Sequence, residues 1–450
     1  MKGSMMDEVP VVVVGAGPVG LAAAAEALER GLNPLVLERG ESAGASVTEW
    51  AHVRMFSPWS ELIAPAAGRL LESTTWQKPD DAAYPTGGDW VERYLRPLAE
   101  ALGDRVRFGA EVTGVARRGR DRVVDAGRET EPLIVHVRTA DGREERITAR
   151  SLIDSSGTWS SPSPLGGDGL PALGERAAAE HITYRIPDLS QPAERARYAG
   201  KHVVVAGSGH SALTALVSLV ALAKAAPATR ISWVLRRGTV GGVFGGGAAD
   251  QLPARGALGV RAQQAVDAGA VRVVTGFRTA AVEAASNGRL TLLSGDGQRV
   301  EDVDEVVVVT GFRPDLSWLS ELRLELDTTL QAPVALAPLI DPNVHSCGTV
   351  PPHGVKELSH PEPGVFLAGM KSYGRAPTFL AMTGYEQVRS IVAELAGDRE
   401  AAERVELVLP ETGVCGGAGL FDRAESQPDG GCCGAPAEPQ SVSLPGPTVR

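Results

Sequence analysis

The 450-residue chain is poor in cysteine and in aromatic residues, with four cysteines and 5% Phe, Trp and Tyr. So few cysteines cannot build a disulfide framework. No apolar run is as long as the about 20 residues that a helix needs to cross a bilayer. The richest stretch, 10–25, is interrupted by three glycines and a proline. Because the first residues also lack the basic flank and apolar core of a signal peptide, we expect a reducing, cytoplasmic location.

The chain also has no excess of positive charge, because 55 Asp and Glu residues outnumber 44 Lys and Arg residues. The formal net charge is -11, and the Lys and Arg residues are scattered rather than gathered in a stripe. This pattern argues against nucleic acids and anionic membranes as partners. A chain of this length with 43% hydrophobic residues can bury a large core, divided over two or three domains. The composition therefore indicates a globular, multidomain protein.

The first readable element is a strand–loop–helix–strand unit near the start of the chain. The apolar run Val11–Val14 is followed at once by G-A-G-P-V-G at 15–20, and residues 21–30 have helix-forming composition. A second strand at 34–37 ends at Glu38, which is 18 residues past the last glycine. A glycine loop between a strand and a helix, with an acid at this distance, is typical of a dinucleotide-binding βαβ unit.

Each residue type in this loop has a physical reason. The first glycine allows a tight turn, the second lets the backbone approach a pyrophosphate, and the third lets the helix pack against the strand. The helix N-terminus offers free N–H groups to the phosphates, and the acid would accept the ribose hydroxyls. We predict that the cofactor contacts here come from Gly15, Gly17, Pro18, Gly20, Glu38 and Arg39.

The pattern repeats in the middle of the chain. A strand at His202–Ala206 precedes G-S-G-H-S-A at 207–212, where alanine takes the third glycine position, and a helix is expected through Ala223. The following strand ends in two arginines, which suit a 2′-phosphate that a carboxylate would repel. We therefore predict FAD at the first unit and NADPH at the second. The expected contacts are Gly207, Gly209, His210, Ser211, Arg236 and Arg237, with Arg236 favoured and a merely solvated arginine as the alternative.

Three further segments contain a hydrophobic strand followed by glycine, at 151–159, 305–319 and 364–395. They predict an α/β fold with two Rossmann-type domains. The FAD domain, 8–160 and 303–400, is interrupted by the NADPH domain, 161–302, and a disordered cysteine-containing tail follows at 401–450. These segments add the expected cofactor contacts Ser156, Gly157, Thr310, Gly311, Phe312, Gly369 and Met370.

The order of GAGPVG, AGSGHSA with RR, VTGFRPD and FLAGM over residues 9–398 resembles the class B flavin-dependent monooxygenases and their two-dinucleotide relatives. The FxGxxxHxxx(W/F) signature of typical members is absent, and the Gly-Asp that commonly ends the last FAD strand reads Gly369-Met370. WAHVRMFSPWS, GGVFGGGAADQLPARG, GMKSYGRAPTFL and the cysteine-bearing end resemble flavoproteins found with bacterial arsenic-resistance genes.

The resemblance implies FAD, NADPH and O₂ acting on a small molecule. Oxygen would pass through a C4a-(hydro)peroxyflavin to a soft nucleophile, namely sulfur, nitrogen or trivalent arsenic, or would leave as H₂O₂. A disulfide reductase needs a cysteine pair near the flavin, and the nucleotide-binding segments contain Cys347 alone. A non-catalytic metalloid-binding flavoprotein is the alternative, although a carrier needs neither a hydride donor nor an acceptor.

Two segments supply candidate residues beside the flavin. We predict catalytic roles for Arg54, Lys371, Tyr373 and Arg375, with solvated turn charges as the alternative for the lysine and the second arginine. Trp50 and Trp59 either wall the flavin ring or belong to the ordinary core. The glycine run 241–247 is interpreted as a flap over the nicotinamide or as a flexible surface loop.

The tail carries three of the four cysteines, Cys415, Cys432 and Cys433. Adjacent cysteines are poorly placed to pair with each other, and flexible residues allow all three sulfurs to converge. Soft thiolates favour soft centres. We therefore predict capture of trivalent arsenic or antimony, or of Zn²⁺ with a fourth ligand; the alternative is a tail whose cysteines have no role.

Overall fold

The fold is taken from a computed structural model that describes residues 9–247, 250, 252–343, 350–377 and 379–407. Within these ranges, no helix combines the length and the apolar character needed to cross a membrane.

The strands are β1 Val11–Val14, β2 Pro34–Leu37, β3 Val106–Arg107, β4 Ala110–Arg117, β5 Leu133–Thr139, β6 Glu144–Ala149, β7 Ser151–Asp154, β8 Ile182–Thr183, β9 His202–Ala206, β10 Arg230–Val234, β11 Arg272–Val274, β12 Thr279–Ala284, β13 Leu290–Ser294, β14 Arg299–Val303, β15 Glu305–Val308 and β16 Val365–Leu367. The α-helices are α1 Pro18–Glu29, α2 Ala45–Thr48, α3 Trp59–Leu62, α4 Pro65–Glu72, α5 Gly87–Trp90, α6 Arg96–Leu102, α7 Pro192–Tyr198, α8 His210–Ala225, α9 Pro253–Asp267, α10 Ala337–Ile340, α11 Val355–Leu358, α12 Ala381–Leu395 and α13 Arg399–Glu403.

Two parallel five-stranded sheets share one design. The first has the order β16-β7-β1-β2-β3 and the second β11-β10-β9-β15-β8. In each sheet a glycine loop follows the central strand, which is β1 in the first and β9 in the second. Later in the chain comes a three-stranded antiparallel sheet, β4–β6 or β12–β14. The next strand, β7 or β15, then pairs with the central strand. The predicted α/β fold with two Rossmann-type sheets is confirmed.

Strand alternation explains the layers. In β1, Val11 and Val13 pack into the core that contains α1, α4, α6 and α12, whereas Val12 and Val14 face the core shared with β4–β6. In β9, Val203 and Val205 face the helices and Val204 faces the second antiparallel sheet. Successive side chains of a strand point to opposite faces of the sheet. When both faces are covered, every position of the strand is buried, which explains the continuous runs of apolar valines.

Strand β15 corrects one part of the sequence interpretation. The sequence predicts that residues from 303 onward belong to the FAD domain, but Glu305–Val308 pairs in parallel with His202–Ala206 and with Ile182–Thr183 in the second sheet. The local pattern of a hydrophobic strand and a glycine is the same in both sheets. Only the pairing, which joins residues far apart in sequence, shows which sheet the strand enters.

The start of the predicted tail is also different. Residues 399–403 form α13, in which Ala401 and Ala402 are buried against α12. Ser390 donates to the carbonyl of Ala402 at 2.6 Å and Arg389 to that of Ala401 at 2.7 Å. The chain therefore remains folded past residue 401, while the rest of the predicted tail, from 408, lies outside the described residues.

A buried carboxylate ties the first antiparallel sheet to the segment before β16. Glu362 is 2% exposed and accepts hydrogen bonds at 2.7 Å from both Arg117 and Arg128. The backbone N–H of Arg323 adds a third at 3.0 Å. Burial alone would raise the pKa of Glu362, but these hydrogen bonds outweigh it and lower the pKa. The charged form is therefore the one that the fold stabilises.

We predict that Glu362→Gln destabilises the fold by about 3–5 kcal/mol at neutral pH, because two buried arginines lose their counter-charge. The pKa of Glu362 is lower in the folded protein than the usual glutamate value of 4.5, so the charged carboxylate stabilises the fold above pH 4.5. This stabilisation is lost as the pH falls through the pKa of the folded state. The difference between variant and wild type in urea unfolding should therefore shrink below pH 4.5. Glu129→Gln, an exposed neighbour, is the control. A difference independent of pH would contradict the assignment.

Candidate nucleotide and active site

The first glycine loop has the shape of a phosphate-binding turn. Gly15 has φ +99°, and a Cβ there would lie 3.0 Å from the carbonyl oxygen of Ser155. A Cβ at Gly20 would lie 1.9 Å from the carbonyl oxygen of Gly15. Gly17 differs, because its backbone is extended and an added Cβ would meet no protein atom within 4 Å. The packing of the protein therefore does not require glycine at 17, whereas a ligand approaching the N-terminus of α1 does.

Glu38 lies against this loop. One carboxylate oxygen accepts from the N–H of Ala16 and the other from that of Gly40, both at 2.7 Å. A carboxylate has about four acceptor positions, so two remain for ribose hydroxyls. Pro18 is the first residue of α1 and Arg39 is exposed. The predicted residues of the first unit, Arg39 apart, thus surround one loop.

Lys371 is not a solvated turn charge. Its side chain is 1% exposed and its ammonium lies 2.6 Å from a carboxylate oxygen of Asp154, which is fully buried at the end of β7. The ammonium also donates to Ser156 at 3.0 Å and lies 4.6 Å from the ring centroid of Trp318. Ser156 and Gly157 follow β7 directly beside the first glycine loop. Lys371 therefore holds this loop in place and does not reach the cavity described below.

Buried amide and imidazole groups fix the turn after β16. Gln387 accepts from the N–H of Gly369 at 2.8 Å and donates to Ser372 at 2.9 Å. Its amide nitrogen lies 2.8 Å from Nε2 of His353. Burial lowers the pKa of His353. We infer a neutral ring that accepts from Gln387 and donates from Nδ1 to the carbonyl of Pro351. Sequence reasoning missed Gln387 and His353, because neither belongs to a local motif.

The rest of this turn borders a cavity. Tyr373 is 2% exposed, burial raises its pKa, and its ring packs edge-on against Phe379 at 5.0 Å. Arg375 is exposed and donates to Gln331 at 2.8 Å. The neutral phenol and the charged guanidinium, together with Met370, line one wall of this cavity.

The second glycine loop repeats the geometry of the first. Gly207 has φ +134°, and a Cβ there would lie 2.4 Å from the carbonyl oxygen of Val309. Gly209, like Gly17, has extended backbone and no protein atom within 4 Å of an added Cβ. Burial, reinforced by the nearby charge of Arg255, lowers the pKa of His210 to about 4. Its ring packs 5.3 Å from Phe56, so His210 is a neutral packing residue near pH 7.

One cavity of about 770 Å³ joins the second glycine loop to the turn after β16. The predicted residues that line it are Trp50, Gly207, Gly209, His210, Ser211, Arg236, Arg237, Thr310, Gly311, Phe312, Met370, Tyr373 and Arg375. The structure therefore brings together residues from five separated segments.

Of the residues predicted to lie beside the flavin ring, Arg54 and Trp59 are, like Lys371, outside this cavity lining. Arg54 is exposed, donates to the carbonyl of Tyr84 at 2.7 Å and is not part of the cavity lining. Trp59 is 1% exposed in the core, with the Arg93 guanidinium 5.6 Å from its ring centroid. The ordinary-core alternative therefore describes Trp59, whereas Trp50 reaches the cavity.

The two arginines after β10 have different environments. Arg236 is exposed, with one guanidinium nitrogen 3.3 Å from the carbonyl oxygen of Gly167. Arg237 is 8% exposed, and burial together with the charge of Arg236 lowers its pKa. Both line the cavity beyond the second glycine loop. Arg236 is thus better placed to meet a phosphate that enters from solvent.

The second half of the glycine run 241–247 packs against α9, while Gly241, Gly242 and Gly245 are exposed. A Cβ at Gly256 would lie 2.1 Å from the carbonyl oxygen of Gly247, and a Cβ at Gly259 would lie 1.8 Å from that of Phe244. Behind it, Asp250 accepts three hydrogen bonds of 2.7–3.1 Å from the Arg255 guanidinium. Close backbone packing and a buried ion pair fix this wall of the cavity.

The predicted metalloid ligands Cys415, Cys432 and Cys433 lie outside the described residues, as does Cys347. In the part of the chain that is described, no group of three or more His, Cys, Asp or Glu side chains could hold a metal ion.

Comparison with known proteins identifies the family. The sequence profile of the pyridine nucleotide-disulphide oxidoreductases matches residues 12–335, which include both glycine loops. The chain belongs to this family. Membership implies FAD and NAD(P)H as cofactors, and the protein is a flavin-dependent NAD(P)H oxidoreductase. The open approaches at Gly17 and Gly209 fit one dinucleotide each.

Individual similarities extend over different parts of the chain. Ferredoxin–NADP reductase 1 of Cupriavidus necator is 29% identical over 329 residues, covering 71% of this chain and 77% of that protein. Indole-3-pyruvate monooxygenase YUCCA1 of rice (Oryza sativa subsp. japonica) is 32% identical over 209 residues, 46% of this chain and 44% of that protein. The bacillithiol disulfide reductase of Bacillus cereus has a similar fold, with TM-score 0.63, 19% identity and coverage of 86% of this chain and 99% of that one.

We predict that Gly17→Val yields protein purified without FAD, because a Cβ at this position meets no protein atom and the valine side chain would occupy the approach of the pyrophosphate. Gly209→Val is the matched control, since its backbone and surroundings are equivalent. It should keep bound FAD and lose NADPH binding. Flavin absorbance of the purified proteins and NADPH titration measure the two effects. Full FAD content in Gly17→Val would show that the first loop does not hold the flavin.

We predict that Arg236→Ala raises the KM for NADPH by about 10- to 100-fold and leaves that for NADH nearly unchanged, because a charge-assisted hydrogen bond to phosphate is lost. Arg230→Ala, at the opposite end of β10, is the control. Steady-state kinetics with both nucleotides provide the measurement. An equal rise for NADH and NADPH would assign the 2′-phosphate to another residue.

Proposed function

We propose that the protein is an NADPH-dependent flavin monooxygenase that oxidises a small molecule. The observation that carries this proposal is the single cavity shared by the second nucleotide loop and the turn after β16, whose lining includes the apolar residues Trp50, Val53, Leu339, Ile340 and Met370. A volume of about 770 Å³ is in the range of ligand sites.

The reaction balances without a protein cysteine. NADPH supplies a hydride, which is two electrons, and with one proton and O₂ it yields NADP⁺, water and one oxygen atom for the substrate. Without substrate the same electrons and two protons convert O₂ to H₂O₂. FAD held at the first glycine loop would supply the redox chemistry between NADPH and O₂. The chain's own residues would position the two cofactors, and the aromatic and aliphatic wall would keep water from the reacting atoms.

The nucleotide-binding segments do not supply the cysteine pair that a disulfide reductase needs, because they contain Cys347 alone. Ferredoxin–NADP reductase is the second candidate. It is favoured by the similarity to the Cupriavidus necator enzyme over 77% of that protein. The two functions differ in the electron acceptor: O₂ with a small substrate in one case, and an iron–sulfur protein in the other.

The decisive experiment follows NADPH consumption by the FAD-loaded protein in air and under argon. Arsenite, methylated arsenite, thioethers and amines are supplied as substrates, and a bacterial ferredoxin as the protein acceptor. We expect that consumption requires O₂ and that a substrate raises the rate, lowers the H₂O₂ yield and gains one oxygen atom. Rapid ferredoxin reduction under argon, without any oxygenated product in air, would favour the reductase.

Arsenic oxidation is the narrowest form of the proposal. The sequence hypothesis is that Cys415, Cys432 and Cys433 capture As(III) and present it to the reduced flavin. We predict that replacing all three by serine lowers As(III) binding and arsenite-stimulated NADPH oxidation, while FAD content is unchanged. Replacing Ser441 and Ser443 of the same region by alanine is the control. Unchanged arsenic binding and turnover in the triple variant would remove the tail from the mechanism.

A further inference from the structure

Four arginines line the cavity in addition to the pair assigned to NADPH, and two of them, Arg185 and Arg255, form ion pairs with Glu194 and Asp250. The other two are Arg313, just after β15, and Arg375, just after the turn that follows β16. They follow strands of different sheets and line the same cavity, in a chain whose net charge is -11. Positive charge is therefore concentrated at this cavity, although the protein as a whole is acidic.

The hydrogen-bond partners of these two side chains are neutral. Arg313 donates to the carbonyl of Gly169 at 2.8 Å, and Arg375 donates to the amide oxygen of Gln331 at 2.8 Å. Among the residues that the structure describes, no carboxylate forms an ion pair with either guanidinium. Each guanidinium has five donors, so most of their hydrogen-bonding capacity remains.

The two charges also affect each other. Burial, followed by the charges of Arg375 and Arg236, lowers the pKa of Arg313. Arginine nevertheless keeps its charge at any physiological pH. Gathering like charges without a counter-ion is unfavourable, and an anion bound between them would relieve the repulsion.

An apolar surface adjoins these charges. Phe312 precedes Arg313, and its ring packs 4.8 Å from that of Trp159; both aromatic residues line the cavity. Ala376, next to Arg375, lines it as well. A ligand at this wall would thus meet a cationic pair and a flat aromatic face together.

We infer that Arg313 and Arg375 anchor the carboxylate of an organic acid whose apolar body lies on Trp159 and Phe312. Guanidinium groups bind carboxylates through paired, charge-assisted hydrogen bonds, which fix orientation as well as position. The inference rests on the proposed function, since it names the substrate class of that site: a small apolar carboxylic acid. Arg236 and Arg237 remain with the nucleotide.

The test measures binding in the FAD-loaded protein without NADPH, so it does not depend on turnover. Benzoate and phenylacetate are titrated against their neutral amides, benzamide and phenylacetamide, and the change in flavin absorbance or tryptophan fluorescence gives Kd. We expect each acid to bind at least about 10-fold more tightly than its amide. Arg375→Gln and Arg313→Gln should each weaken acid binding by about 10- to 100-fold and leave amide binding unchanged.

Arg143→Gln is the charge-matched control, because that side chain is 80% exposed on the first antiparallel sheet and pairs with Asp141. It should bind the acids as the wild type does. Equal affinity of acids and amides would overturn the inference. A rise in the KM for NADPH without weaker acid binding in Arg375→Gln would assign these arginines to the nucleotide instead. Acid binding that persists in a protein inactive towards O₂ would separate failure of the proposed function from failure of this site.

Discussion

The contact between Gly20 and the carbonyl of Gly15 is the constraint from which the first nucleotide site follows. A Cβ would lie 1.9 Å from that oxygen, so α1 can start so close to β1 only with glycine at this position. The close start directs the N–H groups of the first helical turn towards the loop opening, where an anion is favoured. In the second unit the close contact is instead between Gly207 and the carbonyl of Val309. The position equivalent to Gly20 is occupied by Ala212, which is fully buried.

Buried polar groups then hold the loops that surround these openings. Asp154 and Lys371 pair between β7 and the turn after β16, and Gln387 fixes the same turn from α12. Removing two charges from water costs free energy. A buried ion pair therefore stabilises a fold only if the two groups are well placed and their other hydrogen-bonding positions are filled. Here the lysine also donates to Ser156 and contacts the Trp318 ring. The cofactor loops are thus positioned by residues that lie outside the cavity lining.

Charge is distributed unevenly over the molecule. The chain is acidic as a whole, yet six arginines line the cavity described above: Arg185, Arg236, Arg237, Arg255, Arg313 and Arg375. Glu194 forms an ion pair with Arg185, and Asp250 forms a buried one with Arg255. The other four arginines suit the phosphates of a pyridine nucleotide and a further anionic group. An acidic exterior around a basic cavity would concentrate the field at the site.

Local sequence determined the glycine loops, the valine strands that precede them, the acid or arginines that follow, and therefore the fold class with two dinucleotide units. These features depend on residues within about 30 positions of each other, where strand, turn and helix preferences act directly. The tertiary structure alone decided that β15 joins the second sheet, that Lys371 pairs with Asp154, that Arg54 lies outside the cavity and that Arg313 and Arg375 line the same cavity. Each of these results depends on strand pairing or burial between distant segments. A lysine in a glycine-rich turn has the same local sequence whether water or a buried carboxylate surrounds it, and only the packing of the two strands beside it distinguishes these cases.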